Sequence, residues 1–295
     1  MLRIAIFLLT NFSILLTLGM ILQFSGFQKS NILSLLIISG IFGFGGSIVS
    51  LVLSKYLSLK SVSGRIIKKI TNQEENWLFK TISKHAKIVN IKTPKIAIYP
   101  SMEINAFATG ISKDNSLIAV SQGLIDNMNE KEKEAVLAHE ISHISNGDMV
   151  TMTLLQGVLN TFVFFFSRIL AQIVYSIFQN SKNCKEEKPQ NSFLYFVFCM
   201  ILETILGIFA SVIVFWFSRN REFYADAGSA KIVGKKNMIS ALEKLKSSIS
   251  PKEPNHVQAF CINGKKTNSN ILTKLFLSHP SLEKRIKALL MEKYF

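Results

Sequence analysis

Cysteine is scarce in this 295-residue chain, with three in all, and acids number 19 against 34 lysines and arginines. Three cysteines build no disulfide framework, and these sit in unlike segments: Cys184 in a short polar loop, Cys199 inside an apolar run, Cys261 in a polar region. No internal repeat or low-complexity tract is present, which excludes a solenoid or a linker-like chain. The shortage of acids leaves a formal net charge of +15. In a soluble protein that excess would suggest a nucleic-acid partner, so the location of the charge decides its meaning.

What the chain has in plenty is apolar surface. Hydrophobic residues make up 48% and phenylalanine alone contributes 23. Four segments reach the roughly 20 residues a helix needs to cross a bilayer: Ile4–Leu22, Ile32–Ser54, Thr151–Phe178 and Phe193–Phe217. Each is longer than an ordinary strand and lacks alternation. The first could instead be a secretory signal, but Arg3 is its only basic flank and no small-residue cleavage box follows Leu22, which favours an uncleaved helix.

The basic residues orient these spans. Residues 55–150 carry 13 of the 34 and residues 218–295 carry 15. The short connections carry only Lys29, and Lys182, Lys185 and Lys188 beside Glu186 and Glu187. The positive-inside rule then puts both large polar segments in the cytoplasm. The charge is accounted for by topology and by an anionic leaflet, without nucleic acid.

In the first polar segment, KIAIYP, NAFATG and SLIAVS are short apolar runs separated by turn formers, and they predict a small antiparallel sheet. A helix from about Asn129 to Asn146-Gly147 follows. The second polar segment continues out of the last span as a helix, passes a loop at Pro251–Asn270, and ends in a helix at Ser281–Tyr294. Together these predict an α+β domain interrupted by membrane spans.

The stretch AVLAHEISHISNGD, Ala135–Asp148, carries the chemistry. His139 and His143 lie one helical turn apart on one face, so both imidazoles can meet one ion. Glu140 projects about 100° around from His139, beside the ion rather than on it. Two nitrogen ligands and a carboxylate placed to take a proton from water make a hydrolytic zinc site. The same pentapeptide can arise by chance, but Ala135, Val136, Leu137, Ile141 and Ile144 surround it, and idle buried histidines are costly. The candidate third ligand lies in SRNREFYADAGSA, where Glu222 and Asp226 are again four apart. Glu222 could complete a His₂Glu set, and Asp226 could accept a hydrogen bond from a ligand imidazole. The pair also reads as a solvated acidic stripe, paired with Arg219, Arg221 or Lys231. His143 and Glu222 are 79 residues apart, but the apolar hairpin at residues 151–217 takes up 67 of them.

With HEISH at 139–143, NGDM at 146–149, SRNREFYAD at 218–226, NAFATG at 105–110 and SHPSLEKRI at 278–286, the chain resembles the HtpX family of membrane zinc endopeptidases, relatives of the CAAX-prenyl endopeptidases. The resemblance covers essentially the whole length. It implies a zincin-like cytoplasmic catalytic domain with one zinc ion per chain on His139, His143 and Glu222. It also implies Glu140 as general base and a role in quality control of membrane proteins under stress. Asn105, Ala106, Phe107 and Ala108 look like the family's substrate-binding edge strand, which would hold an extended peptide by main-chain hydrogen bonds. His279 and Arg285 are similar to a catalytic pair that approaches the reacting carbonyl.

The expected organisation is a transmembrane hairpin at 1–54, a second at 151–217, and a protease domain assembled from 55–150 and 218–295 in a bacterial inner membrane. The expected substrates are unfolded or membrane polypeptides cut at the bilayer surface, and homo-oligomerisation is left open. His85 and His256, without partners at ligand spacing, read as surface residues. GIFGFGG at Gly40–Gly46 is a packing face rather than a phosphate loop, with Ser39, Gly43 and Ser47 four apart. Arg168 and Glu203 each lie about 15 Å from the outer ends of their spans, which suggests an intramembrane ion pair, with snorkelling or a wet cavity as the alternative. A transporter would need more ionisable groups within its spans. A structural zinc site would need a fourth protein ligand, and no cysteine lies near either motif.

Overall fold

A computed structural model of the protein describes residues 32–182, 193–248 and 279–294. The expected first span, the Pro251–Asn270 loop, Cys184, Cys261 and His256 lie outside the described residues. Along the chain run α1 (Ile32–Ser61), β1 (Arg65–Ile66), α2 (Gln73–Ile88), β2 (Lys95–Tyr99), β3 (Ala106–Ser112) and β4 (Asn115–Ser121). They are followed by α3 (Gln122–Asn127), α4 (Glu130–Asn146), α5 (Asp148–Lys182), α6 (Phe193–Val233), α7 (Lys235–Ser248) and α8 (Leu282–Leu290). Two compact units divide the described chain: one up to Val49 together with Thr153–Val214, the other Ser50–Met152 together with Phe215 onward.

Three helices among the described residues, in α1, α5 and α6, are long and apolar enough to cross a membrane. Each outruns its expected span, because no helix breaker follows the apolar stretch and polar residues propagate the same helix. In the apolar unit α1 buries only Ser39, Gly43 and Ser47, the face expected to pack closely, and a side chain at Gly43 would strike Thr161 of α5. Val163, Phe164 and Ala210 form one small core with Phe42 and Leu206 against them, and Ala171, Tyr175, Tyr195 and Cys199 form another. Arg168 and Glu203 meet there: Arg168 Nη1 donates to Glu203 Oε1, and both side chains are buried. The Arg168 guanidinium also lies over the Phe164 ring at 3.3 Å.

In the polar unit the sheet order is β1-β2-β4-β3. It is mixed rather than antiparallel. The outer pairs, β1 with β2 and β3 with β4, are antiparallel, but β2 and β4 run parallel. The tight turn between β3 and β4 makes a hairpin, and the segment from Pro100 to Asn105 carries the chain past the position that β4 then fills. β4 is therefore the central strand, buried from Ser116 to Ser121. Its Ile118 and Val120 join Leu78 and Ile82 of α2, Leu137 and Ile141 of α4, Leu242 and Leu245 of α7, and Leu289 of α8 in the main core.

Local chemistry fixes the histidine-bearing helix. Asn129 Oδ1 accepts from the Glu132 N–H at 3.0 Å, and Glu132 Oε2 accepts from the Asn129 N–H at 3.1 Å, a reciprocal cap. Gly147 ends α4 at φ 72°, left-handed backbone that glycine adopts without penalty. His85, expected at the surface, is fully buried. It shares the face of α2 that carries Leu78, Thr81 and Ile82, and its Nε2 lies 3.3 Å from Glu134 Oε1.

Candidate metal centre

All the side chains of the centre belong to the polar unit. His139 and His143 project from one face of α4 with their Nε2 atoms 3.1 Å apart and their rings at 87°. Opposite them, α6 presents Glu222, with Oε1 3.4 Å from His143 Nε2 and Oε2 3.7 Å from His139 Nε2. One ligand atom from each of the three lies within 4.8 Å of the others. Small residues let the two helices approach. A Cβ at Gly228 would stand 2.6 Å from the Ser142 hydroxyl, and Ser229 Oγ donates to the Ala135 carbonyl at 2.7 Å.

Both imidazoles are backed by acids. Asp148 Oδ2 lies 2.5 Å from His143 Nδ1. Asp226 Oδ1 lies 3.0 Å from His139 Nδ1, although that nitrogen lacks a well-aligned hydrogen bond. An ionised carboxylate only accepts, so the neutral imidazoles carry their protons on Nδ1 and turn their Nε2 atoms toward each other as acceptors. Two such lone pairs at 3.1 Å repel unless a positive charge stands between them. Glu222 Oε2, buried without an aligned hydrogen bond although His279 Nδ1 and Arg285 Nη1 stand 3.0 and 3.2 Å away, faces the same group of atoms. Two imidazole nitrogens and a carboxylate oxygen are a fitting donor set for a divalent cation.

The electrostatics agree. Burial pushes the His143 imidazole down, but Asp148, Glu222 and Glu140 outweigh it and raise it to about 10. Burial likewise opposes charge on His139, and Asp226 and Glu222 still raise it. Burial also works against the Glu222 carboxylate, yet His279, Arg285 and the two ligand-type histidines hold it well below the ordinary glutamate value. The buried acids favour positive charge at the two imidazoles, whether as protons or as a bound cation.

The other expected residues fall as follows. Glu140 is buried beside His139, and its charge acts on His143 and Arg285. Asp226 stands behind His139, and the surface-stripe alternative fails because Glu222 and Asp226 are only 4% and 1% exposed. His279 Nδ1 is 3.0 Å from Glu222 Oε2. Arg285 is fully buried and turned onto the acids of α6: Nε donates to Asp226 Oδ2 at 2.7 Å, Nη2 to Oδ1 at 2.5 Å, and Nη1 lies 3.2 Å from Glu222 Oε2. Asn105 leads into β3, its N–H donating to Ser121 Oγ and its carbonyl accepting from the Ser121 N–H, each at 3.0 Å. Ala106, Phe107 and Ala108 pair with Val120, Ala119 and Ile118, so this segment forms one edge of the described sheet, with β1 at the other, and packs against α4.

Sequence reasoning missed two participants. Asp148 follows the left-handed turn at Gly147, which breaks the helical period and hides its proximity to His143. Arg221, which in sequence has acids of its own helix beside it, reaches Asp148 on α5 instead. The NGD triplet was the available signal, since a glycine cap aims the next residue back along the helix end.

Apolar helices of membrane-spanning length and a buried His-His-Glu cluster suited to a divalent cation describe a membrane protein with a candidate metal centre. Comparison with known proteins makes the assignment specific. The profile of peptidase family M48 matches residues 72–293. Protease HtpX of Wigglesworthia glossinidia brevipalpis is 55% identical over 295 residues, covering 100% of this chain and 99% of the relative. Protease HtpX of Buchnera aphidicola is also 55% identical, with 100% of both chains covered, and that of Yersinia pestis is 51% identical over 294 residues. The crystal structure of S. mikatae Ste24p shares the fold at a TM-score of 0.62 and 21% identity, over 90% of this chain and 60% of that one. The chain belongs to peptidase family M48, in its HtpX group.

Proposed function

We propose that the protein is a zinc-dependent endopeptidase of the bacterial cytoplasmic membrane that cuts misfolded or damaged membrane proteins at the cytoplasmic bilayer surface. The observation that carries the metal reading is the pair of Nε2 atoms 3.1 Å apart beside the Glu222 carboxylate, with both Nδ1 atoms backed by aspartates. His139, His143 and Glu222 would hold the ion, and Asp226 keeps His139 in its Nδ1–H tautomer. A divalent ion there supplies Lewis acidity, polarising a carbonyl and acidifying water. Glu140 takes the proton from the attacking water and returns it to the leaving amine. His279, beside Glu222 and partly exposed, is positioned to donate toward developing negative charge on the substrate. Arg285 serves chiefly to neutralise Asp226 and Glu222.

Two features support the substrate class. Asn105–Ala108 lead into an edge strand, which can accept an extended peptide through main-chain hydrogen bonds whatever its sequence. Glu222 lies five residues beyond Phe217 on the one continuous helix α6, about 8 Å along its axis from the end of the apolar run. Substrates then include cytosolic loops of membrane proteins. The charge asymmetry supports the cytoplasmic orientation, and the role in stress response rests on the HtpX relatives.

The test compares Glu140→Gln with wild type in detergent, measuring zinc content and cleavage of a membrane substrate on one preparation. Zinc at one per chain with kcat lowered ~100-fold or more is expected. Cleavage retained by the variant contradicts the reading.

A further inference from the structure

Each ligand-type imidazole leans on an aspartate, and each aspartate is gripped by an arginine from another helix. His139 leans on Asp226, which Arg285 of α8 holds at two atoms. His143 leans on Asp148, and Arg221 of α6 reaches Asp148 twice: Nη1 donates to its main-chain carbonyl, and Nη2 lies 3.5 Å from Oδ2. We infer that Asp148 and Arg221 are a positioning pair for the metal site, holding His143 in its metal-accepting tautomer and fixing the rotation of α6 that aims Glu222.

The first half follows from the 2.5 Å contact between His143 Nδ1 and Asp148 Oδ2. That carboxylate keeps the proton on Nδ1 and leaves Nε2 as a lone pair toward His139 and Glu222. Asp148 is 6% exposed and begins α5 immediately after the Gly147 turn, so its direction is set by backbone rather than by a long free side chain. The second half follows from adjacency. Arg221 and Glu222 are consecutive on α6, and consecutive helical side chains diverge by about 100°. Anchoring Arg221 to the first residue of α5 therefore sets the direction in which Glu222 points. A planar guanidinium can serve a carbonyl and a carboxylate together, whereas a lysine offers one point charge.

The proposal rests on the ligand set of His139, His143 and Glu222, and the experiment separates the two claims. Zinc affinity is measured by chelator competition on the full-length protein in detergent. The variants are His139→Ala, Asp148→Asn, Arg221→Met, Arg221→Lys and the Asp148→Asn/Arg221→Met double. Selective ¹⁵N-histidine spectra of the metal-free protein, recorded at alkaline pH where the imidazole is neutral, report the tautomer of His143. Asp148→Asn is expected to weaken zinc binding ~10- to 100-fold and to move His143 toward its Nε2–H form. Arg221→Met weakens binding less, and the double variant is weaker than Asp148→Asn alone, because Arg221 still holds the Asp148 main-chain carbonyl in that variant and aims Glu222 from it. A role confined to holding the fold would lower thermal stability while leaving the tautomer and the zinc affinity unchanged. That result, or a double variant no weaker than Asp148→Asn, overturns the inference. If His139→Ala abolishes binding while the Asp148 and Arg221 variants stay within twofold of wild type, only the positioning pair fails; if His139→Ala binds normally, the ligand set itself fails. Should Asp148→Asn not fold, Arg221→Lys decides: a several-fold weaker affinity supports the pair, and an unchanged one overturns it.

Discussion

Arg285 is the side chain on which the buried acids depend. It has no exposed surface, engages Asp226 with two donors, and stands 3.2 Å from Glu222. Removing one partner of a buried ionic cluster leaves the other charges uncompensated, which costs about 3–5 kcal/mol. Metal-free Arg285→Met should therefore unfold that much more easily in denaturant than the wild type, and Arg285→Lys should fall between them. A change below about 1 kcal/mol would contradict the role. At this scale the sequence was legible where chemistry repeats at four-residue spacing: His139 with His143, and Glu222 with Asp226. It was opaque where the chain turns. Asp148 lies beyond a left-handed glycine, so helical spacing gives no hint of its contact with His143. His85 has no partner at ligand spacing, yet the apolar stripe of Leu78 and Ile82 on its own helix carries it into the core.

Among the elements, the helices were legible and the sheet only partly so. A helix announces itself by caps and local period, and α4 begins at the Asn129 cap and ends at Gly147 as its residues require. The parallel pairing of β2 with β4 depends on a crossover whose direction no local residue encodes. The spans illustrate a third case, in which a sparse polar signal has a specific outcome: Arg168 and Glu203 meet although they are 35 residues apart. Either charge alone would be expensive in an apolar unit, whereas an apolar pair of similar volume is tolerated. Arg168→Met and Glu203→Met should each lower thermal stability, and the double variant should recover much of the loss. Additive losses would show that the pair is not coupled.

Over the whole molecule, the site exists only because two helices distant in sequence converge. His143 and Glu222 are 79 residues apart, with an apolar hairpin between them, and only removal of that hairpin made the third ligand legible. The same long-range dependence kept Arg221 hidden, since nothing near it in sequence names its partner on α5. Zinc X-ray absorption on the purified full-length chain, loaded with one equivalent, tests this convergence most directly. The expected spectrum has a nitrogen and oxygen shell at about 2.0–2.2 Å containing two imidazoles, with one fewer in His143→Ala. A sulfur shell at about 2.3 Å, or an imidazole count unchanged by that substitution, would contradict it.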